Sequence, residues 1–311
     1  MRRRSKVAAW IVAAALVLIP RAAADEVVVL ATIPDLGDIA ERVGGERVEV
    51  TTVARGTENI HAVALRPSSL VAANRADLFL QVGLSLEHAW VPGLLERSRN
   101  RGIQPGQAGF VNTSDGFPAI QIPEVISRSQ AVDLHPQGNP HINLDPRAGR
   151  HFAEAVLTGL TRVDPDSAEA YRAGHARYLG ELSEAEKRWA PVLERLRGSR
   201  VVAYHGEFAY LAASAGIEVV ALLEPKPGVP PTPGHLANVV RQMRELEVDV
   251  VLTAKWSNGS AVRRIAEETG AQVLELPTQV RGAKQVDSWI GLIDHLLREL
   301  EGALVPTVKV E

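Results

Sequence analysis

Residues Asp166–Arg197 read DSAEAYRAGHARYLGELSEAEKRWAPVLERLR, and this stretch decides the architecture. Tyr171, His175, Tyr178, Leu182, Ala185, Trp189, Val192 and Leu196 recur at alternating steps of four and three. At that spacing the side chains fall on one face of an α-helix, because 3.6 residues complete a turn. Such a helix is roughly 45 Å long at ~1.5 Å per residue, more than one small lobe needs. It is therefore expected to run along two lobes as a stiff connector. Pro191 falls inside the pattern and removes one backbone hydrogen bond, which predicts a kink or an early stop.

On both sides of this helix, short β-branched runs alternate with helical stretches, the pattern of an α/β protein with mainly parallel sheets. Strands are expected at Val27–Ala31, Val48–Val53 and Leu78–Val82 before it, and at Arg200–Tyr204, Glu218–Leu222, Val248–Thr253 and Gln272–Leu276 after it. Asp145-Pro146 and Asp164-Pro165 each read as a helix cap followed by proline at the first helical position, the former opening a helix that buries Phe152, Val156 and Leu160. Gly102–Asn139, rich in Gly, Pro, Ser and Gln, reads as loops around a little irregular strand. No internal sequence repeat is evident. The resulting division is a leader over 1–24, an α/β lobe over 25–164, the long helix over 165–197 and a second α/β lobe over 198–311.

The leader assignment rests on order. A basic start (Arg2, Arg3, Arg4, Lys6) precedes an apolar run from Val7 to Ile19 and a small-residue end, Ala22 to Ala24. That is the layout of a cleaved secretory signal peptide, too short to span a bilayer comfortably. Its removal takes the formal net charge from −3 to −8, which argues against nucleic acid and anionic membranes as partners. The chain has no cysteine, so disulfides, thiolate metal sites and a lipidated cysteine are all excluded. A soluble periplasmic monomer, not lipid-anchored, is the expectation.

Nine histidines must be sorted. His151, His175, His235 and His295 fall in helical contexts, and these and His88 read as ordinary packed or solvated side chains. Three others differ in placement. His205 follows the strand Val201–Tyr204 directly, His61 follows the strand at Val48 by one loop, and His141 lies in the loop Gly138-Asn139-Pro140-His141. Carboxyl ends of parallel strands project side chains into the crevice where open α/β sheets hold ligands. Three neutral imidazoles converging there would suit zinc or a similar borderline divalent ion.

The segments His61-Ala-Val-Ala-Leu-Arg-Pro67-Ser68, Asn139-Pro140-His141-Ile-Asn-Leu144-Asp145-Pro146 and Tyr204-His205-Gly-Glu-Phe208-Ala-Tyr210 resemble the three histidine motifs of the zinc and manganese receptors of ABC importers. Glu224–Pro231 and the stretch from Ala76 to Glu87 are similar to that family too, so the likeness runs in order along the chain. The resemblance implies a two-lobed receptor with one connecting helix, metal at the lobe interface, and a membrane permease as partner. It also implies that His61, His141 and His205 are the first three ligands. The family often supplies a fourth, an aspartate after the strand at Gln272–Leu276. Here that region reads Leu276-Pro277-Thr278-Gln279-Val280, and Asp287 more naturally opens the last helix. Water, Glu207, Glu58 or Glu275 could complete the tetrahedron, with water or Glu207 preferred. Without an assured carboxylate the set favours zinc over manganese, which prefers oxygen-rich sites.

His135, six residues before His141, is an auxiliary candidate; the resemblance implies a histidine-rich, metal-gathering loop nearby, of which this one histidine remains. Trp90 and Trp256 are candidates to line the crevice, and Pro225–Pro233 reads as a stiff loop that could touch the permease. Two rival functions share the pattern: a metal-dependent adhesin on the same fold, and a periplasmic zinc hydrolase with Glu207 as general base. No His-Glu-x-x-His helix or Gly-x-Ser-x-Gly elbow accompanies the latter. Because only neutral imidazole coordinates, metal is expected to leave as pH falls through about 6.

Overall fold

The computed structural model describes residues 26–123, 135–257 and 259–305, so the leader lies outside the described residues. Two four-stranded, wholly parallel sheets form the frame. The first contains β1 (Val27–Ala31), β2 (Val48–Thr52), β3 (Leu78–Gln81) and β4 (Phe110–Asn112) in the order β2-β1-β3-β4. The second contains β5 (Arg200–Ala203), β6 (Glu218–Leu222), β7 (Val250–Ala254) and β8 (Gln272–Leu276) in the order β6-β5-β7-β8. Each sheet thus repeats the same strand order although no sequence repeat announces it. Parallel pairing leaves the crossovers to helices: α1 (Pro34–Gly44), α2 (Pro67–Arg75), α3 (Val91–Ser98) and α4 (Ala148–Val163) in the first half, and α6 (Ala209–Ala215), α7 (Pro233–Glu245), α8 (Gly259–Thr269) and α9 (Trp289–Leu304) in the second.

Seven strands fall where β-branched runs place them, within two residues at each end. The eighth, β4, lies in the Gly102–Asn139 stretch; it is three residues long and too short to carry a period of its own. The helix starts also shift. Asp145 accepts the Arg147 N–H at 2.9 Å, yet regular helix begins only at Ala148. After Asp164 a short 3-10 turn, Pro165–Ser167, precedes the connector.

The connecting helix α5 spans Ala168–Leu196, 29 residues or about 43 Å. Tyr171, Tyr178, Leu182, Ala185, Trp189 and Leu196 of the expected stripe are buried along it, while His175 and Val192 are only partly covered; a large apolar side chain such as Leu182 contributes about 1.5–3 kcal/mol. Pro191 does not end it: this residue and Lys187 are exposed, so the Lys187 carbonyl that loses its partner faces water. The helix packs on α1 and α4, and on α6 and α9. Gly174 permits the closest approach, because a Cβ there would stand 2.1 Å from the Val43 carbonyl oxygen at the end of α1. The last helix, α9, also returns to the first half, its Trp289 N–H donating to Asp38 Oδ2 at 2.8 Å. One hydrophobic core consequently runs through the first lobe, α5 and α9 into one side of the second sheet, while a smaller core lies under α7 and α8.

Among the described residues, no helix is long and apolar enough to cross a membrane.

Candidate metal centre

Three loops deliver three imidazoles to the seam between the sheets. His205 leaves the end of β5, whose alignment is kept by the Tyr204 N–H donating to the Leu252 carbonyl at 2.9 Å. His61 and His141 sit in loops, and both are fixed by the same device two residues upstream. Asn59 Oδ1 accepts the His61 N–H at 2.9 Å, and Asn139 Oδ1 accepts the His141 N–H at 3.0 Å. Each is an asparagine turn in which a short side chain replaces a backbone acceptor. Trp90 supports the first loop from behind, its indole N–H donating to the Ile60 carbonyl at 2.9 Å.

The Nε2 atoms of His61 and His141 are 3.1 Å apart, and those of His141 and His205 are 3.3 Å apart. Zinc held by imidazoles at ~2.05 Å in a tetrahedron sets its ligand nitrogens about 3.3 Å apart. Protons alone serve this cluster poorly: a single ring nitrogen, His141 Nε2, faces two others, whereas one cation satisfies all three lone pairs. The residues are 3%, 1% and 5% exposed, respectively for His61, His141 and His205. Burial first, and the neighbouring imidazoles second, hold His61 and His141 well below the ordinary histidine range, so both stay neutral and competent to coordinate at pH 7. Among the described residues these three form the one His/Asp/Glu group with ligand atoms all within 4.8 Å.

The surroundings orient the rings. His205 Nδ1 lies 2.6 Å from Glu224 Oε2, which fixes the proton on Nδ1 and turns Nε2 toward the others. Sequence reading missed Glu224 as a partner; its signal was the Glu224–Pro231 segment. The Nδ1 atoms of His61 and His141 are buried without a well-aligned partner, the Leu86 carbonyl lying near His61. Trp256 packs edge-on against two of the rings, 6.5 Å from His61 and 5.9 Å from His205 between centroids. Trp90, by contrast, stands behind the His61 loop rather than against the rings.

The glutamates considered for a fourth position fall elsewhere. Glu58 is occupied by the Arg55 N–H and by Arg66, and Glu275 is exposed on β8. Glu207 is fully buried, both its oxygens lack a hydrogen-bond partner, and burial pushes its carboxyl up; it stands outside the 4.8 Å group. His135 does reach the neighbourhood, its ring centroid 5.2 Å from that of His61. His151, His175, His235 and His295 do not: His175, for example, faces Glu154 at 3.3 Å, and His235 bonds the Leu222 carbonyl.

The two lobes are bolted together beside the site. Asn139 Nδ2 donates to the Gly206 carbonyl at 2.8 Å, and the Tyr210 hydroxyl donates to the Asn139 carbonyl at 2.8 Å. Asn143, two residues after His141, donates to Asp35 Oδ1 at 3.1 Å and to the Thr278 carbonyl at 2.9 Å. Val280 N–H donates to Asp35 Oδ2 at 3.1 Å, and Gln279 Nε2 to the Glu58 carbonyl at 2.9 Å. Gly56 lets the loops touch, a Cβ there meeting the Val280 carbonyl oxygen at 2.2 Å. Loop 278–280, which carries no aspartate, serves here as a clamp.

Comparison with known proteins places the whole chain. The sequence model of the family described as zinc-uptake complex component A, periplasmic, matches residues 29–303. The manganese-binding lipoprotein MntA of Halalkalibacterium halodurans is 27% identical over 270 residues, 84% of this chain and 82% of that protein. The high-affinity zinc uptake system protein ZnuA of Bacillus subtilis is 22% identical over 287 residues, 89% and 86% of the two chains. A crystal structure of ZnuA superposes with a TM-score of 0.75 at 21% identity, covering 90% of this chain and 100% of that one, a likeness that carries the fold. With a matched segment that spans both sheets and the connecting helix, the chain belongs to the ZnuA family of extracytoplasmic metal-binding receptors of ABC importers.

Proposed function

We propose that this receptor captures zinc(II) on His61, His141 and His205, with water as the fourth ligand, and passes it to its permease without chemical change. The observation that carries the reading is the convergence of three buried Nε2 atoms at a spacing of 3.1 and 3.3 Å. Relatives are named for zinc, manganese and iron, and an all-imidazole set favours zinc among these, since manganese seeks oxygen donors. Residues 25–164 and 198–311 act as the two lobes and 165–197 as the strut between them. The protein works as a monomer in the periplasm after loss of residues 1–24, and without cysteine it has no residue to carry a lipid. In this reading the protein is a receptor and not an enzyme, and Glu207, fully buried with its carboxyl pushed up by burial, has no catalytic part.

Capture requires only that neutral imidazoles replace water around the ion, and release requires that docking on the permease part His205 from the other two. Calorimetric titration of the purified protein with zinc and manganese, beside a His61→Ala, His141→Ala, His205→Ala triple variant, tests this. One tight zinc per chain, absent from the variant, is the expected result. A native protein that binds no zinc, or a variant that binds it equally well, would sink it.

A further inference from the structure

A cavity of about 310 Å³ opens where the two lobes touch, and none of the three imidazoles lines it. Its walls are Thr57 of the first lobe and Lys255, Arg281, Lys284 and Asp287 of the second, over buried Gly282 and Val286. That volume lies within the range of small-molecule sites. Close packing of two loops forms the seam beneath it. A Cβ on Gly56 would stand 2.2 Å from the Val280 carbonyl oxygen and 2.3 Å from the Arg281 carbonyl carbon, and the Gln279 amide donates to the Glu58 carbonyl at 2.9 Å. Both sides of the cavity lead to the metal centre. Thr57 belongs to the loop that carries His61, and Lys255 precedes Trp256, whose ring packs edge-on against His61 and His205.

The chain has a formal net charge of −3, yet this cavity gathers three cations against one carboxylate. Among the described residues Lys255, Arg281 and Lys284 are exposed and in no ion pair, whereas Arg42, Arg66, Arg147 and Arg150 each face a carboxylate. Asp287 does not neutralise the three; it stands near Asp38 and helps to raise that carboxyl. Arg281 is held at φ 63°, a left-handed backbone that arginine adopts rarely and at a cost, with its N–H donating to the Val286 carbonyl at 2.7 Å. Like charges gathered in one concavity repel one another and concentrate anions there. The Thr57 hydroxyl offers a further donor from the opposite lobe.

We propose that this cavity binds a small multivalent oxyanion, carboxylate or phosphate, which joins the two lobes and so tightens the hold on the metal ion. Lys255, Arg281 and Lys284 take up its charge from the second lobe, and Thr57 hydrogen-bonds it from the first. An anion so placed favours the arrangement in which His205 of the second lobe meets His61 of the first. Such coupling is reciprocal, so the metal-loaded protein binds the anion more tightly than the metal-free one. The coupling rests on the reading of the imidazole centre given above; the anion site itself does not.

The test titrates the purified protein, metal-free and zinc-loaded, with tricarballylate and with inorganic phosphate by calorimetry at constant ionic strength, since salt screens such attraction. One anion per chain is expected, and the two probes tell a carboxylate site from a phosphate site. Zinc-loaded protein should bind it about fivefold or more tightly than metal-free protein. Arg281→Gly keeps the backbone, because glycine takes positive φ freely; combined with Lys255→Ala it should weaken the anion about tenfold or more. Arg177→Ala, which removes an exposed charge on α5 instead, should leave binding unchanged. No binding of either probe by the parent would overturn the site, and so would an equal weakening by Arg177→Ala. Equal anion affinity with and without zinc would overturn the coupling. If the parent holds no zinc, the imidazole centre fails while the metal-free titration still decides the anion site.

Discussion

His205 Nδ1 and Glu224 Oε2 meet at 2.6 Å with both side chains largely buried, 7% and 11% exposed. The carboxylate holds the Nδ1 proton, sets the ring angle and raises the basicity of Nε2. Glu224→Gln should keep the fold but lower zinc affinity about 10–100-fold. Chelator competition on the purified variant reads this directly, and an unchanged affinity would mean that Glu224 merely fills space.

Asn59 and Asn139 perform the same local task, but only Asn139 also crosses the seam, donating to Gly206. Asn139→Ala leaves buried polar groups on both lobes unpartnered and should cost about 1–3 kcal/mol of stability as well as affinity. Asn59→Ala should loosen the His61 loop and cost affinity with a smaller stability change. Urea unfolding set beside zinc binding separates the two variants, and equal stability losses would contradict the assignment.

Asp35 is fully buried where Asn143 and Val280 converge, and burial pushes its carboxyl up to about 7. Asp38 on the same helix adds to the rise, with Arg42 paired to Asp38 and Tyr178 of α5 facing them. Since the native state holds this proton and the unfolded chain does not, the contribution to stability is complete below pH 3.8 and is lost as pH rises through about 7. Asp35→Asn removes that group and should therefore gain stability relative to the parent as pH climbs from about 4 to 7, between the unfolded value of 3.8 and the raised native one. Thermal melts of the two proteins across that range give the answer, parallel curves counting against it.

His61 and His141 lie well below the ordinary histidine value. In the metal-free protein these rings stay neutral while unfolded imidazoles take protons, so their contribution to stability is present above about pH 6.5 and falls as pH drops below it. Protons compete with metal only near the lowered native values, which moves metal release below the pH of about 6 expected for ordinary imidazoles. Zinc affinity should be nearly level from about pH 7.5 to 6 and fall steeply beneath that. A calorimetric series over pH checks it, and a tenfold loss already above pH 6 would contradict the buried neutral rings.

Much of the frame was legible because it depends on local periodicity. The four-three stripe from Tyr171 to Leu196 specifies a long helix whatever surrounds it, and alternating β-branched runs specify parallel strands. Weak or short signals said less: the little strand expected within Gly102–Asn139 is β4 at Phe110–Asn112, whose three residues gave no position of its own, and Pro191 does not stop the helix because it sits where solvent offsets its missing bond. The three histidines were legible as candidates because each lies beyond a strand or before a cap. Glu224 as the partner of His205 was not, since nothing within a few residues of either encodes who its neighbour is.

The sequence by itself determined the helix that joins the halves, the strands of both sheets, the absence of thiols and the loops that hold the histidines, because propensity and spacing act over a few residues. Only the tertiary structure decided that three Nε2 atoms meet within hydrogen-bonding distance, that loop 278–280 clamps the lobes through Asp35 and Asn143, and that α9 returns to α1. Those relations join residues 64 to 251 positions apart. They are fixed by how two sheets and one 29-residue strut pack together, a property of the whole core that no short stretch of chain contains.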